Sequence, residues 1–325
     1  RPYPKKDRIE FEHVVLPDDV KKSEFDPSEG TVSRGDAECI KCGVVTESET
    51  VKERLQDGAF EYELCGVKYV NDGKGSRSGY RAATDEDRDA FNKAAEAVES
   101  DISLATLLST KVPKGKKTNE ARSYGIAQWR DMYTPRQLLT HAKYKDAFEE
   151  VKPEIQDRYD NEKAEAIITL LTFGASKMVN RNSRLSPLNI AYAAPETVMG
   201  NNNYSFSWQF CENNHLAGNT SYMENMQSRR GVINCYEKVV DFVEHIEEPD
   251  VQVSHGDASR LSCEDSSIQA VVVDPPYGDN IMYSELADFF YVWQKEYLQN
   301  TFPQQFATDL SNKESEAVEN ISKFD

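Results

Sequence analysis

Four consecutive residues, Asp274-Pro275-Pro276-Tyr277, combine a carboxylate, two stiff imino acids and an aromatic ring. That set suits one kind of chemistry. An exocyclic amino group on a nucleobase is a poor nucleophile, because its lone pair is delocalised into the ring. Two acceptors aimed at its hydrogens favour the tetrahedral nitrogen that forms as it attacks a methyl sulfonium. Asp274 supplies one acceptor, and the carbonyl of Pro275, held stiff by Pro276, can supply the other. Tyr277 can stack on a base withdrawn from its helix, an interaction worth about 1–3 kcal/mol. The plainer reading of the same residues is a strand-to-turn exit with a solvated Asp274.

Such groups need a frame that positions them. Ile268, Ala270, Val271, Val272 and Val273 form a short apolar run before Asp274, rich in β-branched residues. The run fits a strand buried on both faces of a parallel sheet. Pro275 restricts Asp274 to extended backbone and neither proline can donate to a ladder, so the strand ends there. The carboxylate then lies at the carboxyl edge of a strand, where open α/β sheets bind ligands. Beyond the turn, residues 282–299 read as a helix that packs Leu286, Phe289, Phe290, Trp293 and Leu298 on the sheet. Before it, residues 231–247 read as a second helix and residues 251–253 as a short strand leading to Asp257, which taken alone is an ordinary helix cap.

Upstream, Thr84-Asp-Glu-Asp87 resembles a capping box, with Phe91, Ala94, Ala95 and Val98 following at helical spacing. Thr134 is a good N-cap and Pro135 suits the first helical position, which predicts a helix from there to about Glu150. A helix N-terminus is also a ready anion site. Residues 153–179 read as one long amphipathic helix. Residues 110–122 are a basic linker, either a solvated loop or a set of phosphate contacts. The aromatic stretch 206–214 either packs a core or lines a substrate cleft.

Cys39-Ile-Lys-Cys42-Gly43 has the spacing of one zinc knuckle, in which a tight turn points two thiolates at one metal. Zinc takes four ligands, and the other soft candidates nearby are Cys65 and His13. The alternative is a pair of buried or redox-inert cysteines.

The 325 residues are 38% hydrophobic with a net charge of −18 and six irregularly spaced cysteines. No apolar run is long enough for a bilayer, so no membrane partner is expected. The cysteine usage, without a secretion signal, points to a reducing cytoplasm. The acidity counts against nucleic acid, whose binders usually show a basic footprint, unless that footprint is local or the acidity serves solvation in salt.

Asp274-Pro-Pro-Tyr resembles the catalytic motif of amino-methyltransferases that modify adenine N6 or cytosine N4 with S-adenosylmethionine. More of the chain is similar to large prokaryotic adenine-specific DNA methylases with a zinc-ribbon insert. The residues that carry this are Glu29-Gly-Thr-Val-Ser-Arg-Gly35 leading into Cys39 and Cys42, Tyr133-Thr-Pro-Arg-Gln-Leu-Leu139, Asp274 to Asn280, and Tyr283 to Trp293. The resemblance implies a partial Rossmann-like α/β methyltransferase fold with helical segments. It divides the chain into a zinc-ribbon-like insert at 1–82, a helical segment at 83–150 and a catalytic portion at 151–325. It implies DNA as partner and gives Asp274, Pro275, Pro276 and Tyr277 to catalysis, with Tyr133 and Thr134 at the cofactor's methionine end. Asp257 falls to the cofactor's adenine, and Cys39 and Cys42 to zinc. Family members also carry an Asp-Pro-Phe glycine-rich cofactor loop and an earlier cysteine knuckle that this sequence lacks. The expectation is therefore an internal piece of a longer or split enzyme, whose cofactor loop comes from a second polypeptide. Two alternatives stand: RNA or cytosine N4 as the target, and a non-catalytic nucleic-acid-binding or partner-binding module.

Overall fold

The structure is a computed structural model that describes residues 1–325 other than 7, 15–25, 27–28, 71–77, 192, 201, 217–220, 246–255, 257–259, 315, 317 and 319–325. The chain divides into two units, Arg1–Glu150 with Asn180–Glu212, and Val151–Val179 with Asn213–Asp325. Among the described residues the protein is largely helical, with small sheets whose strands all pair antiparallel.

In the first unit, β1 (Pro2–Pro4) pairs with β2 (Ile9–Phe11), and β3 (Val32–Ser33), β4 (Asp36–Glu38) and β5 (Val45–Thr46) form a three-stranded sheet in that order. After α1 (Ser48–Gln56) comes a hairpin of β6 (Gly66–Val70) and β7 (Ser78–Ala82). Then follow α2 (Asp85–Ser100), α3 (Ile102–Thr106), α4 (Asn119–Ser123) and α5 (Pro135–Arg158), of which the part up to Glu150 belongs to this unit. The last pair is β8 (Leu188–Asn189) with β9 (Ala194–Pro195).

Caps explain where these helices start. The Thr84 hydroxyl accepts from the Asp87 N–H, and the Asp87 carboxylate accepts from the Thr84 N–H at 2.8 Å, which is the expected capping box. Asp101 does the same for α3, accepting from Ser103 N at 2.8 Å. Gly125 has a φ of +85°, and a Cβ there would lie 2.3 Å from the Leu55 carbonyl oxygen. Only glycine lets the chain leave α4 so close to the end of α1. Val112, Ala121, Ile126, Trp129, Met132 and Tyr204 fill the interior, with Trp129 edge-on to Tyr204 at 5.9 Å.

In the second unit, α6 (Asn161–Val179) packs against α7 (Tyr222–Gln227) and α9 (Tyr283–Leu298), and α7 against α8 (Val232–Val243). Ile168, Ala175, Met178, Met226, Phe289, Trp293 and Tyr297 are buried here. A Cβ on Gly174 would meet the Met226 sulfur at 2.5 Å, so glycine sets how closely α6 and α7 approach.

Three expectations change. The helix predicted to end near Glu150 runs through Pro153 to Arg158. The single helix expected over 153–179 is broken at Asp160, whose side chain accepts from Lys163 N at 2.9 Å and starts α6. A capping side chain overrides a continuing apolar period, because it satisfies donors the new helix would otherwise leave unpaired. Most consequentially, Ile268–Val273 is not a strand: it is irregular and exposed, Val272 to 96%. A strand buried on both faces needs neighbouring strands and covering helices. No described strand lies beside this run, and α9 buries Phe289 and Trp293 in a helical unit rather than on a sheet. The strand expected at 251–253 lies outside the described residues. No described helix is long and apolar enough to cross a membrane.

Candidate functional site

The Asp274–Tyr277 turn borders a cleft of about 310 Å³, lined by Asp274, Pro275, Pro276, Tyr283, Glu316 and Val318. The start of α9 forms one side, bringing Tyr283 and the following serine. Glu316 is held at the start of α9: its carboxylate accepts from Ser284 N at 2.8 Å and from the Ser284 hydroxyl. The segment carrying Glu316 is anchored by Asp288, which is fully buried and pairs with Lys313. Asp288 also accepts from Ser311 N at 2.9 Å and from the Ser311 hydroxyl at 2.5 Å.

Within the turn the Pro276 carbonyl accepts from Gly278 N at 3.1 Å, and Gly278 takes a φ of +57°. The Tyr277 carbonyl accepts from Asn280 N at 3.1 Å. The Pro275 carbonyl has no hydrogen-bond partner among the described residues and lies beside the cleft. The Tyr277 hydroxyl donates to Asp274 Oδ1 at 3.1 Å, and its ring is exposed rather than part of the cleft wall.

The lining chemistry is selective. The lining residues bring two carboxylates and a proline carbonyl, and among the described residues no Lys or Arg lines the cleft. Acceptors without cations favour a neutral or cationic ligand that brings N–H donors, and disfavour a phosphate or carboxylate. The volume sits at the lower end of the range for small-molecule sites, about 300–1,000 Å³. A single heterocycle with an amino edge meets both conditions.

The other proposed site residues do not join this cleft. Tyr133 and Thr134 belong to the first unit and are buried. Thr134 caps α5 in a reciprocal box: its N–H donates to Gln137 Oε1 at 2.9 Å, and its hydroxyl accepts from Gln137 N at 3.2 Å. The same hydroxyl donates to Glu212 at 2.5 Å, and Arg136 Nε donates to the other oxygen of Glu212 at 2.5 Å. A carboxylate of the protein itself thus stands where the resemblance places the cofactor's methionine end. The Tyr133 ring lies edge-on to His141 at 5.5 Å. Asp257 lies outside the described residues.

Cys39 and Cys42 sit in the exposed turn between β4 and β5, closed by Gly43 N to Cys39 O at 2.8 Å, with Gly43 at φ +69°. Backbone N–H groups of Lys41 and Cys42, then the Cys42 thiol, hydrogen-bond the Cys39 sulfur and lower its pKa. A thiolate-favouring turn fits two positions of a tetrahedral zinc site. Among the described residues no group of three or more His, Cys, Asp or Glu completes it. His13 and Cys65 are both exposed.

Sequence reasoning missed Gln137, Glu212 and Glu316. Gln137 was detectable, since Thr134-Pro-Arg-Gln137 has the spacing of a capping box. Glu212 lies 78 residues from Thr134, and no local pattern joins them. Comparison of the chain with family models, curated proteins and solved structures finds no match.

Proposed function

We propose that the chain is the target-handling part of an S-adenosylmethionine-dependent methyltransferase acting on adenine N6 in DNA, within a Rossmann-like fold that a longer or second polypeptide completes. The observation that supports this most is the cleft at Asp274 and Pro275, whose described lining residues include two carboxylates and no Lys or Arg. The two hydrogens of an amino group would be accepted by the Asp274 carboxylate and the Pro275 carbonyl, which turns the nitrogen lone pair outward. S-adenosylmethionine supplies the methyl group when bound. Tyr277, exposed at the mouth of the turn, would stack on the withdrawn base once its hydroxyl releases Asp274. Cys39 and Cys42 would hold one edge of a zinc site, in a structural role.

The test incubates the complete enzyme, this chain together with the polypeptide that completes its fold, with radiolabelled S-adenosylmethionine and DNA, then sorts label by nucleoside. Label in N6-methyl-2′-deoxyadenosine is expected. Label in cytosine, or only with RNA, would move the reading to another amino-methyltransferase substrate, and no label would overturn the enzymatic reading for this chain.

A further inference from the structure

Two stretches that the sequence leaves apart, the basic linker and the aromatic segment after 203, are joined in the first unit. Glu120 in α4 does the joining: one carboxylate oxygen accepts from Asn203 Nδ2 at 3.0 Å, the other from Phe206 N at 3.2 Å. Phe206 is thereby laid flat on Tyr124, with centroids 4.2 Å apart and planes within 6°. Trp208 stands edge-on to both, at 5.1 Å from Phe206 and 6.3 Å from Tyr124, and is 45% exposed. The linker is folded onto the same helix. Arg122 donates to the Val112 carbonyl at 2.5 Å, Thr118 to the Pro113 carbonyl at 2.6 Å, and Val112 N to the Ala127 carbonyl at 2.9 Å.

The charge of this substructure opposes that of the whole. Residues 110–124 hold five basic residues and one acid, in a chain of net charge −18. The one acid, Glu120, has both oxygens turned to the aromatic segment. Lys111 and Lys114 are exposed on the loop. A protein core needs neither a half-exposed indole nor exposed lysines on the linker joined to it, and an acidic partner alone would not need the rings. Single-stranded nucleic acid needs both, since flat side chains stack its bases and cations track its phosphates.

We infer that Trp208 and the Tyr124–Phe206 pair it meets edge-on, together with Lys111 and Lys114 of the linker folded onto the helix before Tyr124, form a binding surface for single-stranded nucleic acid. It is built from residues other than those of the Asp274 cleft and does not depend on methyl transfer. The probe is an oligothymidine, which has no adenine amino group, so its binding is independent of the reading at Asp274. Of the three tryptophans, Trp129 and Trp293 are each 1% exposed, so quenching of intrinsic fluorescence on titration reports Trp208.

Oligothymidine is expected to quench that emission. Measured by the anisotropy of a dye-labelled oligothymidine, which does not need the indole, Trp208→Ala should weaken binding by about fivefold to a hundredfold, from the usual worth of one stacked base, and Trp208→Phe should restore most of it. The pair Lys111→Ala and Lys114→Ala should lower the slope of log affinity against log salt by about 1.4. Absence of quenching, or Trp208→Ala binding within about twofold of wild type (a shift of under 0.5 kcal/mol), would overturn the inference.

Discussion

The Tyr277 hydroxyl donates to Asp274 Oδ1 at 3.1 Å, so the ring and the carboxylate of one exposed turn are tied together. A target amine at Asp274 competes with that hydroxyl. Tyr277→Phe removes the competitor and keeps the ring, and should transfer methyl groups at least as fast as wild type. Tyr277→Ala also removes the stacking surface and should raise KM for DNA by about fivefold to a hundredfold. Steady-state transfer on both variants checks this, and a large loss in Tyr277→Phe would show that the hydroxyl itself takes part.

Glu212 holds the first turn of α5 through Thr134 and Arg136. Glu212→Ala leaves the Thr134 hydroxyl and the Arg136 guanidinium without this partner. Urea denaturation should show a loss of about 1–3 kcal/mol. A change within 0.5 kcal/mol, the size usual for ordinary surface substitutions, would mean that the pair is a surface contact of little consequence.

That pair also shows which parts of the architecture local reasoning reaches. The caps at Thr84 and Thr134 lie within three residues of their partners, and both helices start where expected. Asp160 was hidden because the apolar period continues on both sides of it, although its side chain starts a new helix. The run 268–273 reads as a buried strand from composition alone, but burial is a property of neighbours, and its residues are exposed here. At the site, the Asp274 turn was legible as chemistry. Its second wall was not, since Glu316 reaches the cleft through Ser284 and the Asp288 anchor. The junction of linker and aromatic segment through Glu120 spans more than eighty residues and leaves no sequence period.

The cysteines should differ in reactivity. Hydrogen bonds from Lys41 and Cys42 lower the Cys39 pKa, whereas burial pushes the Cys211 thiol up to about 11. Thiolate is the reactive form, so at neutral pH iodoacetamide should label Cys39 well before Cys211, with the gap narrowing as pH rises. Peptide mapping by mass spectrometry reads the order. Added Zn(II) should protect Cys39 and Cys42 together, and unchanged labelling would argue against a zinc role for the knuckle.

Arg81 donates to Asp87 in a paired contact, which with the Thr84 N–H holds the Asp87 carboxyl well below the usual carboxylate range. A depressed carboxyl pKa stabilises the fold above the unfolded value and loses that contribution as pH falls through the folded one. Asp87→Asn should therefore be less stable than wild type at neutral pH. The difference should shrink below about pH 4, where the unfolded carboxyl is protonated. Thermal melts across pH test the sign, and a difference that grows in acid would contradict it.

Asp274 carries the central claim. It is exposed and outside any helix or strand, so Asp274→Asn should leave the melting temperature unchanged. The most direct measurement compares methyl incorporation into DNA by wild type and Asp274→Asn at saturating S-adenosylmethionine. A loss of about a hundredfold or more, the usual scale for removing one preorganised electrostatic group, is the predicted result. Incorporation within about threefold of wild type, a barrier change of under 1 kcal/mol, would contradict the assignment of the amino group to this carboxylate.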